Sequence, residues 1–245
     1  MISATKTDLR IRLSPTHDLA QRTAHQKWRG LKALVKAVVP SQIVVWRGPR
    51  RSSGGVWKGK RRIALTFDDG PDDLTLGYLS VLERWGARAT FFVVGEACVR
   101  RPDLVAAIAD AGHELAGHGY THRRFPTLTA SELSDELVRT AALLPANAGR
   151  RLVRPPHGAV SLSSLYTCAR AGFTTVLWSH DSGDWCTTQS TKVLAAFAEQ
   201  GAREPDAIVL LHEGQAWTMA ALPAILRDLN QAGHELVTLH ELLDA

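Results

Sequence analysis

From Arg61 onward, short runs of β-branched, aliphatic and aromatic residues alternate with longer amphipathic stretches, and this rhythm restricts the fold more than any other feature of the chain. A strand, a helix and a second strand in that order form a βαβ unit, whose two strands lie parallel in one sheet. The pattern places strands at 62–67, 89–94, 114–117, 152–154, 173–178, 207–211 and 235–238. Several of the intervening helical stretches end on a glycine just before the next strand, at Gly86, Gly112, Gly172 and Gly233, where a left-handed cap costs no Cβ clash. The tetrad Gly-His-Glu-Leu occurs twice, at 112–115 and 233–236, and nothing else recurs at that offset. It reads as one helix-to-strand joint used twice, with His113 and His234 as structural residues. Seven strand–helix units close most naturally into a parallel barrel of the α/β class. In such barrels reactive groups collect on the loops that follow the strands.

Charge divides the chain. Residues 1–62 hold 15 Lys or Arg against only Asp8 and Asp18, a balance of +13, while the other 183 residues hold 14 against 22, a balance of −8. The expected organisation is a basic, partly helical N-terminal extension over 1–59 and a catalytic domain over 60–245. Trp28, Leu31, Leu34, Val35 and Val38 recur at helical spacing until Pro40, with Lys27, Arg29, Lys32 and Lys36 off the stripe. Such a helix either packs its stripe on the main domain or lies peripherally on an anionic membrane. Nucleic acid is not expected as a partner, because no aromatic residues interleave with the basic ones.

The longest stretch free of Asp, Glu, Lys and Arg, 155–169, carries two prolines and a histidine, whereas a spanning helix needs about 20 apolar residues. No apolar run followed by a small-residue cleavage site opens the chain, so the expected location is cytoplasmic, peripheral at the inner face of the membrane. A chain of 245 residues with 45% hydrophobic side chains can bury its core without disulfides. Cys98, Cys168 and Cys186 are odd in number and widely spaced, and read as packing residues.

Polar residues do cluster after the strands: Asp68-Asp69-Gly70-Pro71 after the first, His118-Gly119-Tyr120-Thr121-His122 after the third, and Pro155-Pro156-His157-Gly158 after the fourth. Asp181-Ser182-Gly183-Asp184-Trp185 follows the fifth and His212-Glu213 ends the sixth. Two histidines four apart can turn both rings to one point, and a carboxylate from a neighbouring strand completes three ligands with open positions, which suits a catalytic metal. Adjacent carboxylates in an extended segment face opposite ways, so one of Asp68 and Asp69 can ligate while the other acts as a base.

Thr66-Phe67-Asp68-Asp69-Gly70-Pro71 resembles the first motif of the NodB-homology polysaccharide deacetylases, carbohydrate esterase family four, and the later motifs fall in that family's order over about 60–245. The resemblance implies a distorted (β/α)7 barrel and a hydrolase that removes acetyl groups from N-acetylated or O-acetylated sugars. It implies Asp68 as general base, with Asp69, His118 and His122 holding a divalent metal, usually zinc, with cobalt or nickel as alternatives. Arg154-Pro155-Pro156-His157-Gly158 resembles the motif whose arginine orients the catalytic aspartate and whose fourth backbone N–H, here at His157, stabilises the oxyanion. In Asp181-x-x-Asp184-Trp185, Asp184 would hold the catalytic histidine, with Asp181 as runner-up, and Trp185 would wall the acetyl pocket. Leu210-Leu211-His212 implies Leu210 against the acetyl methyl and His212 as general acid. Two positions depart from the pattern: Gly119 stands where a hydroxyl residue usually steadies the metal loop, and His157 replaces a tyrosine, which bears on metal affinity and on substrate choice respectively.

The same machinery would serve another carbon–nitrogen amide. A non-haem iron oxygenase also uses two histidines and a carboxylate, but would leave Asp68, Arg154, Asp184 and His212 without roles. A glycan-binding barrel without activity is expected to have lost Asp68 or His212, and both are present. Trp46, Trp57, Trp85 and Trp178 read as packing residues, whereas Trp217 is placed to line a groove.

Overall fold

The computed structural model describes residues 39–40, 42–49, 61–145, 150–199 and 204–244. The chain divides into two compact units, Met1–Pro40 and Ser41–Ala245. The amphipathic helix expected around 28–38 and Trp57 lie outside the described residues.

Strands β1 (Val44–Val45), β2 (Arg61–Asp68), β3 (Thr90–Val93), β4 (Glu114–Gly117), β5 (Arg151–Val153), β6 (Phe173–Val176), β7 (His180–Asp181), β8 (Ala207–His212) and β9 (His234–Leu236) form one sheet. Their order is β1-β6-β5-β4-β3-β2-β8-β7, and every pairing is parallel. β9 runs beside the first three residues of β2, and β3 beside its last three. Between strands lie α1 (Thr75–Arg84), α2 (Gly95–Arg100), α3 (Pro102–Asp110), α4 (Ala130–Ala141), α5 (Leu162–Arg170), α6 (Ser190–Glu199) and α7 (Ala216–Gln231), with α8 (Leu239–Leu243) at the end. This curled parallel sheet with its helices is a distorted (β/α)7 barrel, and among the described residues its end strands β1 and β7 are not paired with each other.

All seven strands read from the sequence are present, with ends shifted by one or two residues. β1 and β7 were not anticipated, because two residues are too few to display any period. β1 belongs to the stretch assigned to the leader, yet it pairs with β6 in the register Val44↔Thr175, so the sheet draws on residues N-terminal to 60.

Both faces of a parallel sheet are covered, so the strand period of two sorts residues between two buried environments. In β2, Ile63, Leu65 and Phe67 enter the core with Tyr78 and Leu82 of α1 and Ile225 of α7. Ala64, Thr66 and Asp68 therefore face the barrel interior. β8 repeats the division: Ala207, Val209 and Leu211 join the same core, leaving Ile208, Leu210 and His212 inward. The register Thr66↔Leu210 and Asp68↔His212 sets the polar ends of both strands side by side at one rim.

The joint used twice is visible as two glycines in the left-handed region, Gly112 at φ +76° and Gly233 at φ +77°, with nothing close to where a Cβ would stand. Backbone conformation, rather than lack of space, selects glycine there. His113 and His234 are buried beside these joints, as structural residues should be. Cys98 and Cys168 are buried, but Cys186 is exposed and its thiol donates to the Gly183 carbonyl at 3.1 Å, so only two of the three cysteines pack. Among the described residues no helix is long and apolar enough to cross a membrane.

Candidate active site

Asp68, at the end of β2, is 3% exposed, and its Oδ1 accepts from Arg154 Nη1 at 2.6 Å. Arg154, immediately after β5, is fully buried. Its remaining donors reach Thr66 Oγ1 at 2.8 Å, the Leu177 carbonyl at 3.3 Å and the Val176 carbonyl at 3.4 Å. The guanidinium lies 4.0 Å from the Phe92 ring centroid inside the barrel. A buried cation needs this many partners, and the network leaves the arginine one orientation, which aims it at Asp68.

Asp69 leaves the strand in the left-handed region, at φ +76°. That turn changes the expected geometry: the neighbouring carboxylates do not face opposite ways but converge. Asp69 Oδ1 lies 3.3 Å from His118 Nε2 and 3.0 Å from His122 Nε2, while Asp68 Oδ2 is 3.7 Å from the same His118 nitrogen. Burial opposes the charge of Asp69, yet hydrogen bonds with the two imidazoles outweigh it and hold the carboxyl well below the usual carboxylate range. One ligand atom from each of Asp69, His118 and His122 lies within 4.8 Å of the others, the spacing a single metal ion requires. His118 Nδ1 is 2.8 Å from the Arg154 carbonyl. A carbonyl only accepts, so Nδ1 carries a proton and Nε2 is the nitrogen that faces Asp69, the arrangement that orients histidine ligands. This donor set fits a divalent cation.

At the end of β8, His212 Nδ1 lies 2.7 Å from Asp184 Oδ1, and its backbone N–H donates to Asp184 Oδ2 at 2.8 Å. Asp184 is completely buried and also accepts from Thr218 Oγ1 at 2.8 Å, while its carbonyl accepts from the Trp217 indole at 2.8 Å. Burial disfavours the charged imidazole, but the hydrogen bond and charge of Asp184, aided by Asp68 and Asp69, raise the His212 pKa to about 9. Asp181 instead accepts from the Gly183 N–H and the Trp185 indole. The structure therefore puts Asp184, and not Asp181, on the histidine.

Leu210 is buried on the inward face of β8, two residues before His212, and Trp185 is 46% exposed at the rim. His157 stands at φ +58° with its ring 4.8 Å from that of His122. Every candidate from the sequence thus converges on one end of the barrel. Trp217, half-buried, donates its indole N–H to the Asp184 carbonyl.

Four contributing residues escaped the sequence reading. Thr66 and Thr218 orient charged side chains from within ordinary strand and helix patterns. Glu213 is 3% exposed, accepts from Thr75 Oγ1 at 2.6 Å, and packs so closely on the Asp69-Gly70 turn that a Cβ at Gly70 would fall 1.6 Å from its Oε2. Burial pushes its carboxyl up to about 8. Glu136 accepts from the loop between the two histidines. A signal for it existed, since Glu136 lies on the buried stripe of α4 with Leu133, Leu137 and Thr140, where a carboxylate is out of place unless it has partners.

A family model described as polysaccharide deacetylase matches residues 56–176. A peptidoglycan-N-acetylglucosamine deacetylase of Bacillus cereus is 35% identical over 222 residues, covering 86% of this chain and 97% of that protein. The peptidoglycan-N-acetylglucosamine deacetylase PgdA of Listeria monocytogenes is 33% identical over 213 residues, covering 84% of this chain, which spans only 43% of that longer protein. Among solved structures, the Bc1960 peptidoglycan N-acetylglucosamine deacetylase superposes with a TM-score of 0.74 at 27% identity, over 84% of this chain and 94% of its own. A CE4 family pseudoenzyme from Bacillus anthracis superposes with a TM-score of 0.73 at 25% identity, over 84% and 70%.

Proposed function

Because the chain belongs to the polysaccharide deacetylase family, we propose that it is a metal-dependent hydrolase removing acetyl groups from N-acetylated sugars of a polysaccharide or glycan precursor. A pseudoenzyme shares the fold almost as closely as an enzyme does, so backbone similarity alone does not carry this reading. The observation that carries it is the convergence of a base, three metal ligands and an acid paired with a carboxylate: Asp68, the Asp69–His118–His122 set, and His212 on Asp184.

Asp69, His118 and His122 would hold zinc, with cobalt and nickel suited to the same donors. When bound, such an ion supplies Lewis acidity and brings the pKa of water toward neutrality. Asp68, its orientation held by Arg154, takes the proton from the attacking water. The backbone N–H of His157 meets the oxyanion that develops on the acetyl carbonyl oxygen, the type of donor whose loss costs on the order of 10² to 10³ in rate. Protonated His212 gives its proton to the departing nitrogen, and Asp184 stabilises the cation until that moment. Leu210 and Trp185 confine the acetyl methyl.

The substrate-facing departure is His157, an imidazole at the mouth of the cleft, which bears on glycan choice. The basic leader supports attraction to an anionic membrane surface and a cytoplasmic site of action on a precursor glycan. Recovery of the protein only from outside the cell would refute that location.

The deciding experiment measures acetate release from N-acetylglucosamine oligomers, peptidoglycan fragments and acetylated xylan, with protein stripped of metal and reloaded with zinc. Wild type is expected to release acetate only when reloaded, and Asp68→Asn to release none while still binding zinc. Because the substitution leaves Arg154 buried without its counter-charge, about 3–5 kcal/mol of stability is at risk, and a melting curve must accompany the assay. Zinc bound with no release from any substrate would favour another amide or a binding role.

A further inference from the structure

His122 does not sit on a strand or a helix. It ends the segment Gly119-Tyr120-Thr121-His122, which enters at φ +77° and leaves with His122 itself at φ +58°. A histidine in the left-handed region is unfavourable on its own, so surrounding contacts must impose the conformation. The carbonyls of Gly119 and Tyr120 accept from the Gly95 and Glu96 N–H groups of α2 at 3.0 and 2.9 Å, and the donors of the loop are met by one side chain. The N–H groups of Tyr120 and Thr121 donate to Glu136 Oε2, the latter at 2.9 Å, and the Thr121 hydroxyl donates to Oε1. Glu136 is 6% exposed and is delivered from the buried stripe of α4. One turn further along the same helix, the Arg139 guanidinium covers the Tyr120 ring at 3.7 Å, so α4 grips the loop at two points. The glycine at 119 permits the close approach: a Cβ there would stand 3.3 Å from Glu136 Oε2. The hydroxyl that usually steadies this loop is absent from position 119, and a carboxylate from the neighbouring helix stands in contact with the loop instead.

We propose that Glu136 is a positioning residue of the metal site, holding the 119–122 loop so that His122 Nε2 converges with His118 Nε2 and Asp69 Oδ1, and thereby setting the affinity for a divalent ion. This rests on the metal reading of that triad. Groups that orient ligands from outside the coordination sphere typically change metal affinity 10- to 100-fold when removed.

The test is competition for zinc against a chromophoric chelator, using wild type, Glu136→Ala, Glu136→Gln and, as a control of purely structural destabilisation, Thr129→Ala at the start of α4. Glu136→Ala should weaken zinc binding 10- to 100-fold. Glu136→Gln, whose amide oxygen can still accept both loop N–H groups, should recover most of it. Thr129→Ala should lower the melting temperature of the metal-free protein without moving zinc affinity. Should Glu136→Ala fail to fold, Glu136→Asp takes its place: one methylene shorter, it should weaken binding about tenfold while Gln does not. Zinc affinity within twofold of wild type in the Ala or Asp variant, or an equal loss in Thr129→Ala, would overturn the proposal. Absence of zinc binding by wild type would bring down the metal reading itself, a failure distinct from that of Glu136.

Discussion

The two oxygens of Asp184 have different tasks. Oδ1 meets His212 Nδ1, and Oδ2 is occupied by the Thr218 hydroxyl and the His212 N–H, which leaves the carboxylate no freedom to turn. A general acid must be protonated at the working pH, and the His212 pKa of about 9 keeps the proton in place through neutrality. The alkaline side of the pH–activity profile is therefore expected to fall near pH 9. In Asp184→Asn the charge that opposes burial is gone, so that fall should move down to the ordinary histidine range or below it. The rate at neutral pH should drop by about 10² to 10⁴, read from kcat/KM across pH. Linkage gives a second consequence. A folded-state pKa raised above the ordinary value of 6.5 stabilises the fold fully below about pH 6.5, and that contribution is lost as pH rises through about 9. Urea unfolding of the metal-free protein at pH 6 and pH 9.5 should show the loss in wild type and a smaller one in Asp184→Asn. At this scale the clustering of Asp68, Asp69, His118, His122, Asp184 and His212 at one rim was readable from residue type and position after a strand, while the roles proposed for them came from the family resemblance. The residues behind them, Thr66, Glu213 and Thr218, were not, because a side chain that acts by touching another depends on who its neighbour in space is, and Glu136 was marked only as a carboxylate on a buried stripe.

Among the elements, α4 shows how local chemistry and site geometry are joined. Its start is a capping box, in which the Thr129 hydroxyl accepts from the Glu132 N–H and the Glu132 carboxylate accepts from the Thr129 N–H. Thr129→Ala should cost about 1 kcal/mol in urea unfolding, because the Glu132 N–H at the helix start loses its acceptor. Seven residues later the same helix presents Glu136 to the 119–122 loop, so its register, more than its margin of stability, matters to the proposed site. The strands were legible wherever they ran for three residues or more with a buried, β-branched pattern. β1 and β7 have two residues each and owe their conformation to parallel partners, β6 and β8, already in place. The turn at Asp69 was also hidden, since the pattern of an extended strand gives no notice of the φ +76° that ends it.

For the molecule as a whole, the proposed metal site joins β2 to the loop after β4, so an ion held there would tie together parts of the chain some 50 residues apart in sequence. Any ligand that binds only the folded state stabilises it, by about 2.7 kcal/mol at a hundredfold excess over the dissociation constant. Chelation should therefore lower the melting temperature of wild type. His122→Ala, which removes one ligand at a half-buried position, should melt at the same temperature with or without zinc. Residue order by itself determined the class of fold, the seven main strands and the end of the barrel at which the acidic and imidazole groups collect. It could do so because period, glycine placement and the position of a residue after a strand are local properties. The tertiary structure alone decided that Asp68 and Asp69 converge, that Asp184 rather than Asp181 meets His212, and that Glu136 and Glu213 brace the two loops. Those outcomes depend on backbone torsions and on distances between elements remote in sequence, which are settled only when the sheet curls and its helices pack.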